Sequence, residues 1–571
     1  MKKKVLSVLL SATMVFSLAA CGGNSGSDQA TETPAAEASE ETTEAAEETT
    51  EEATEETASE DTAEEDTAEE DTAAAADIDT SEHVVINYMT TGDRPDGKAA
   101  ERLDEMLAKL NEILTEKVNA ELEIYYIEWT DYLSNYNLTL AQMDGSVDLV
   151  GTASDWLDAW PNAKNGAFLP LSEDMLKTYA PKTWASVPAD HWEMCKYDGD
   201  IYLMPEDNYA QWTNHGFIYR LDWAKDAGLA DGVHSWEDLT TYFSYVKENH
   251  PELKAVWDSD GTQYAQMANG WIASHTNFVA IDGLATGALW GGTKDDLYTV
   301  VTPVMTETDS LVEYAKMMKE WDEIGVWPTD VLNNTSSQNR DEYRVGQVAA
   351  EQHHTQTWTD LCSATEANTI YADDENAESG FFYFGEETDN VVALSITHGA
   401  MAVSAASQNP ERALMVYDLI RNDPECYKLF NYGIEGVSYE INDEGLRTTP
   451  EGYDSSTDNI NGMTNYWWGR NDDIEVRDAS RNWDKIDELY AKYDSVKIDY
   501  PYGQFVPDVD SIQAKIDNCN EVYTNYMKQI SYGKYTGTAE EIVAEMQDAL
   551  EQAGIADVAA ELQSQMDALY K

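Results

Sequence analysis

The residues of this 571-residue chain best suited to chemistry are tryptophans set among polar groups instead of on apolar faces. NYWWGRNDD carries Trp467, Trp468 and Arg470, EWTDY carries Trp129, and ASDW carries Asp155 and Trp156. PEDNYAQW adds Glu206, Tyr209 and Trp212, AEQHHTQTW adds Glu351 and His354, NGWIASH adds Trp271, and TTGD ends in Asp93. An indole plane accepts the apolar C–H face of a sugar ring, while carboxylates, arginine, amides and imidazoles take its hydroxyls. The chemistry on offer is therefore noncovalent recognition of a ligand that presents both apolar and polar faces. The competing reading for each aromatic is the core, where most large rings go. Trp467 and Trp468 are neighbours that point opposite ways in an extended segment, so one can be packed and the other exposed. Gly469 then turns the chain and lets Arg470 reach outward.

Other chemistries find less support. The adjacent His353 and His354 suggest a metal, but neighbours on a strand face apart and no i, i+4 histidine follows, so no metal is expected. Asp258-x-Asp260-Gly261 lacks the later acidic ligands of a calcium loop and reads as a turn. The chain has no G-x-S-x-G, H-E-x-x-H or phosphate-loop motif, and no cofactor or catalytic residue is expected. A glycoside hydrolase needs two carboxylates roughly 5–10 Å apart. So acidic a chain does not exclude such a pair, and a secreted hydrolase stays an alternative, as does a surface glycan-binding adhesin.

The elements that would position these residues alternate. HVVINYM reads as a buried strand over Val84–Met89. KAAERLDEMLAKLNEILTEKV follows with Leu103, Met106, Leu107, Leu110 and Leu114 at helical spacing. AELEIYYIEW is a second strand, YLSNYNLTLAQMDG a helix, and SVDLVGTASDW a third strand running into a loop. Strand, helix, strand, helix, strand argues an open α/β sheet. Ligands of such sheets bind beyond the carboxyl ends of the strands. That edge holds the loops Thr90–Asp93, Trp129–Asp131 and Thr152–Trp156.

Downstream motifs fall in a recognisable order: GAFLPLSEDML, YDGDIYLMP, YRLDWAKDAGL, SWEDL, YRVGQVAAEQHHTQTW, SQNPERALMVYDLI and YGIEGVSYEI. This series resembles the extracellular solute-binding proteins of bacterial ABC importers, in their sugar-binding group. The tail AGIADVAAELQSQMDAL resembles a subgroup with an extra C-terminal domain of unassigned function. The resemblance covers His83 to Lys571. It implies a two-lobe periplasmic-binding-protein-like fold (type II), with hinged lobes and a ligand cleft between them. Lobe I would comprise 83–210 and 390–435, and lobe II 211–389 and 436–571 with the C-terminal helical extension. Crossovers are expected near Leu203–Phe217 and Ser395–Val403, with further returns after Gly433. The implied partners are a small-molecule solute, expected to be an oligosaccharide with peptide as the alternative, and the importer's permease subunits. The protein is expected to be a monomer. Some motifs are purely structural: Asn409-Pro410-Glu411 and Ser235-x-Glu237-Asp238 start helices, and Asp198-Gly199 makes a hairpin turn.

The N-terminus places this body. Lys2–Lys4 and the apolar run Val5–Leu18 form a signal peptide over 1–20, too short to span a bilayer. Leu18-Ala19-Ala20-Cys21 resembles a lipobox, which implies acylation of Cys21 and attachment to the extracytoplasmic face of the cell membrane through that lipid alone. Residues 21–82 form an acidic stalk. From Gly22 it has no Lys, Arg or aromatic residue, and E-D-T-A repeats with a period of five. Such a segment cannot bury enough apolar surface to offset its ordering entropy. The whole chain carries a net charge of −74, and without the three lysines and twenty-three carboxylates of the first 82 residues about −54 is left. Nucleic acid is thereby excluded as a partner. Cys195, Cys362, Cys426 and Cys519 have no C-x-x-C spacing and read as buried thiols.

Overall fold

The computed structural model describes residues 78–207, 215–281, 291–334, 338–361, 374, 376–454, 457–458, 464, 468–503 and 505–571. The expected signal peptide, Cys21 and most of the expected stalk lie outside the described residues. Strand β1 (Val84–Thr91) pairs in parallel with β2 (Ala120–Ile127), from Val84 opposite Ala120 to Thr91 opposite Ile127. On its other side β1 pairs in parallel with β3 (Leu149–Thr152). β3 is buried along its whole length, as a strand covered on both faces must be. Between β1 and β2 the helix Gly97–Val118 buries Leu103, Met106, Leu110 and Leu114 at the predicted spacing, and Asn119 closes it in the left-handed region. Only Leu107 of the predicted stripe is partly exposed.

A hairpin of β4 (Lys196–Tyr197) and β5 (Asp200–Ile201) follows. Asp198 at φ 51° and Gly199 at φ 92° give it the two positive φ angles of a type I′ turn. After β6 (Met204–Pro205) the chain crosses into a second sheet built by β7 (His215–Arg220), β8 (Ala350–His354) and β9 (Ser379–Tyr383). This sheet is antiparallel in the order β8-β7-β9. The chain then returns, and β10 (Ala400–Val403) enters the first sheet antiparallel to β3 and β6, giving β2-β1-β3-β10-β6. Both crossovers fall where the sequence motifs put them: Leu394 packs on the second lobe and Ile396 is buried in the first.

Each sheet anchors its own apolar core. The second is the larger, with Phe217, Trp236, Trp257 and Trp321 packed against the C-terminal helices Gln513–Ser531, Ala539–Ala553 and Ile555–Tyr570 through Met527, Met546, Leu550 and Leu562. The expected transfer of the chain to the second lobe at residue 436 comes later. Tyr439, Ile474 and Val476 pack with Tyr427 and Tyr432, Trp468 is buried in the first core, and Asp458 is held by Lys98 of the first long helix. The chain joins the second lobe with the helix Trp483–Val496, whose Ile486, Tyr490 and Tyr493 pack against Ile218 and Tyr383. Ser235 caps its helix through the Asp238 N–H (3.0 Å), whereas the Asn409 side chain makes no cap bond. Cys195, Cys426 and Cys519 are buried free thiols, and Cys362 lies outside the described residues.

Candidate functional site

Topology brings two rims together. The chain leaves the first sheet at Pro205, beside the start of β10 at Ala400, which is itself opposite Thr152 at the carboxyl end of β3. It enters the second sheet at His215, opposite His354, and Gly216 lies opposite Tyr383. The crossovers therefore run from the carboxyl-end rim of the first sheet to the His215 rim of the second. Parallel pairing of β1, β2 and β3 places the loops after all three on the first of these rims.

On that rim three indoles form one stack. Trp129 and Trp156 lie 6.1 Å apart at 22°, and Trp156 and Trp468 lie 5.9 Å apart at 28°. Tyr132 meets Trp129 edge-on at 5.6 Å. Asp93 is exposed and accepts the Trp129 N–H (3.1 Å), tying the loop after β1 to the loop after β2. Trp468 is the inner end of the stack and only 1% exposed. Its indole N–H donates to the Tyr88 hydroxyl, and its carbonyl accepts the Tyr417 hydroxyl (2.9 Å). The ring lies flat on Gly151, where a Cβ would fall inside the indole. Trp468 is thus the packed member of its pair and a base for Trp156, not an exposed platform. Its neighbour Trp467 lies outside the described residues, as do Tyr209 and Trp212.

Polar groups surround the stack. One oxygen of Asp155 meets His398 Nδ1 (2.9 Å), and the other, Oδ1, is buried without a hydrogen-bond partner. The hydroxyls of Thr91 and Ser154 are likewise buried and unpartnered. Native proteins satisfy roughly nine in ten buried polar groups, so these three, with the Thr152 hydroxyl at the end of β3, mark a place where ligand or water completes the bonding. Sequence reading missed Thr91, which closes β1, and Ser154, two residues beyond the end of β3. Glu206 is tied into the crossover: its N–H reaches the Gly399 carbonyl (2.8 Å), and its own carbonyl accepts Arg421 (3.1 Å). Arg470 is buried and paired with Asp472 (2.7 Å) instead of reaching outward, because the chain after Trp468 stays packed on the first lobe.

The second rim carries imidazoles and amides. The ring centres of His353 and His354 are 4.0 Å apart, and His215 lies 5.5 and 5.8 Å from them. The two neighbours were expected to face apart, but β8 ends at His354 and a helix starts at Thr355, so the backbone curls and strand alternation is lost. Burial, with His354, Arg340 and His215 nearby, holds His353 well below the usual imidazole range, so it is uncharged at neutral pH. Gln352 Nε2 lies 3.0 Å from His215 Nδ1. Among the described residues no group of three or more His, Cys, Asp or Glu side chains is placed to hold a metal ion. Asp258 and Asp260 serve local structure, Asp258 pairing with Lys254 (2.8 Å) and Asp260 accepting the Thr262 N–H (2.9 Å).

The model of a family described as bacterial extracellular solute-binding protein matches residues 106–420, more than half of the chain. The chain belongs to that family. A domain of unknown function, DUF3502, matches residues 501–571, which hold the three C-terminal helices of this solute-binding protein. A carbohydrate ABC transporter substrate-binding protein of Streptococcus pneumoniae serotype 4 is 24% identical over 509 residues, 86% of this chain and 92% of that one. Among solved structures, an N-glycan transport solute-binding protein from Streptococcus pneumoniae superposes with a TM-score of 0.64 at 20% identity, covering 85% of this chain and 98% of that one. A human-milk-oligosaccharide-binding, ABC-transporter-associated protein from Bifidobacterium longum infantis gives 0.60 at 16% identity, with 86% and 99% covered. The two-lobe α/β fold expected from the motifs is the fold of these solute-binding proteins.

Two predicted contacts of the solute-binding protein are core residues. Trp271 is 2% exposed, donates to Ser310 Oγ (2.9 Å) and packs against Trp236 and Tyr314. Its helical spacing with Met267, Ala268 and Ile272 is the ordinary signature of a buried face. Glu351 is 4% exposed and sits opposite Ile218, inside the second lobe, where Asn339 donates to it and Arg340 is 3.8 Å away. Burial, partly offset by Arg340 and Asn339, pushes its carboxyl up to about 7. A carboxyl raised above its ordinary value of about 4.3 contributes stability that is full below that value and is lost as pH rises through its folded pKa. Glu351→Gln is therefore expected to flatten the fall in unfolding free energy between about pH 4.3 and 7. Urea titrations across that range read it, and an unchanged pH slope would mean that Glu351 is ionised in the native core.

Proposed function

We propose that this protein is the capture subunit of an ABC importer, held on the extracytoplasmic face of the cell membrane by a lipid on Cys21, and that its ligand is an oligosaccharide. The observation that carries the ligand class is the Trp129–Trp156–Trp468 stack bordered by Asp155 Oδ1 and the unpartnered hydroxyls of Thr91 and Ser154. Flat apolar rings beside unsatisfied polar atoms suit a sugar, which offers C–H faces and hydroxyls at once. The S. pneumoniae relative is described as a carbohydrate ABC transporter component, which supports the same class. In this reading ligand binds between the rims, stabilises the closed arrangement of the lobes, and the permease recognises that arrangement. The acidic stalk holds the body away from the membrane. No helix among the described residues is long and apolar enough to cross a membrane.

Thermal unfolding of the secreted chain, with Cys21→Ser to keep the lipid off, tests this against oligosaccharides, monosaccharides and peptides. A ligand at 100 times its Kd is expected to add about 2.7 kcal/mol. A shift with one glycan class and no product on prolonged incubation supports the proposal. A shift with peptides alone overturns the ligand class, and cleavage of a glycan overturns the role of carrier.

A further inference from the structure

The unpartnered groups of the second rim resemble those of the first in one respect. Gln352 is fully buried in the middle of β8, and its Oε1 has no partner. Gln266 Oε1 and Asn269 Oδ1, on the helix Tyr264–His275, are also buried and unpartnered. Gln263 at the start of that helix donates to the Gln352 carbonyl (2.7 Å), which ties the helix to β8, and Gln266 and Asn269 follow Gln263 at successive spacings of three. Two lobes thus present three amides and two hydroxyls, all uncharged, together with one carboxylate oxygen, Asp155 Oδ1.

Three of the guanidiniums beside these rims are engaged. Arg421 holds the Pro205 carbonyl (2.7 Å) and the Glu206 carbonyl, Arg470 pairs with Asp472, and Arg340 faces Glu351. Arg94, exposed in the loop after β1, stands between Asp93 and Asp96. We infer that the cleft selects uncharged glycans and turns away those bearing carboxylate or sulfate groups. An anion entering a site of neutral dipoles, imidazoles and one carboxylate loses hydration without gaining a fixed countercharge. The net charge of about −54 on the body repels it at longer range as well. A neutral sugar meets neither cost, and its hydroxyls and amides complete the orphaned groups.

The inference rests on the oligosaccharide reading, and one experiment separates the two. The secreted chain with Cys21→Ser is titrated calorimetrically with neutral tri- to pentasaccharides of mannose, glucose, galactose and N-acetylglucosamine. The same lengths bearing uronic or sialic acid are titrated beside them. The expected result is binding of a neutral series, with its acidic counterparts at least a hundredfold weaker both at low salt and at high salt, since desolvation at short range is not screened. Asn269→Lys, which places a cation on the second rim, is expected to narrow that gap at least tenfold. An acidic glycan bound within tenfold of the best neutral one overturns the inference and leaves the oligosaccharide reading intact. So does an unchanged gap in Asn269→Lys with neutral binding retained. Binding of peptides and of no glycan overturns the oligosaccharide reading, and the inference with it.

Discussion

Trp468→Ala is expected to lower the unfolding free energy by about 3–5 kcal/mol, the range for removing a fully buried large aromatic side chain. The upper half of that range applies because three things are lost together. The indole fills the space over Gly151, it supports Trp156 at 5.9 Å, and its N–H satisfies the buried Tyr88 hydroxyl. Trp468→Phe restores part of the volume but not the donor to Tyr88, and is expected to cost less, about 1–3 kcal/mol in all. Urea unfolding followed by far-ultraviolet circular dichroism reads both. A loss under about 1 kcal/mol in Trp468→Ala would mean that this ring is not packed in the first core. Gly151→Ala tests the same contact from the other side, since its methyl would displace the indole.

The second large effect is on binding. Trp156→Ala is expected to weaken glycan binding by roughly a hundredfold while leaving the fold in place. Full burial of a large apolar side chain contributes about 1.5–3 kcal/mol, and 1.4 kcal/mol is a factor of ten. Trp156 is only half-buried, but it lies between Trp129 and Trp468, so its removal takes out the middle of the stack. Trp129→Ala is expected to be nearly as damaging, and the double variant little worse than either, because residues that act as one unit are not additive. Affinity unchanged in all three variants would remove the aromatic platform from the mechanism, whatever the ligand is.

The value of the sequence differed from one tryptophan to the next. Trp129 and Trp156 were found by strand polarity. Both follow a strand of an α/β pattern, parallel strands end on one edge, and so the two rings had to lie on that edge. The same rule covers Asp93 and Asp155. Trp271 looked similar because polar residues flank it, yet its helical spacing with Met267 and Ile272 outweighs them. Glu351 and Arg470 were misplaced for a different reason. A lone charged residue does not announce its partner, and Asn339, Arg340 and Asp472 decide where these two turn.

By itself, the sequence determined the alternation of strands and helices, the edge on which the loops after β1, β2 and β3 gather, the two crossovers and the family. All of these rest on local periodicity, turn chemistry and motif order, which short stretches of chain carry. Only the tertiary structure decided that Trp468 is a buried base and not a platform, that Tyr439, Trp468, Ile474 and Val476 stay with the first lobe, and that Thr91, Ser154, Gln266, Asn269 and Gln352 hold buried, unpartnered groups. Burial and hydrogen-bond satisfaction are properties of contacts between distant segments, such as Gly151 with Trp468 or Gln263 with Gln352. No local pattern encodes which distant surface a side chain will meet.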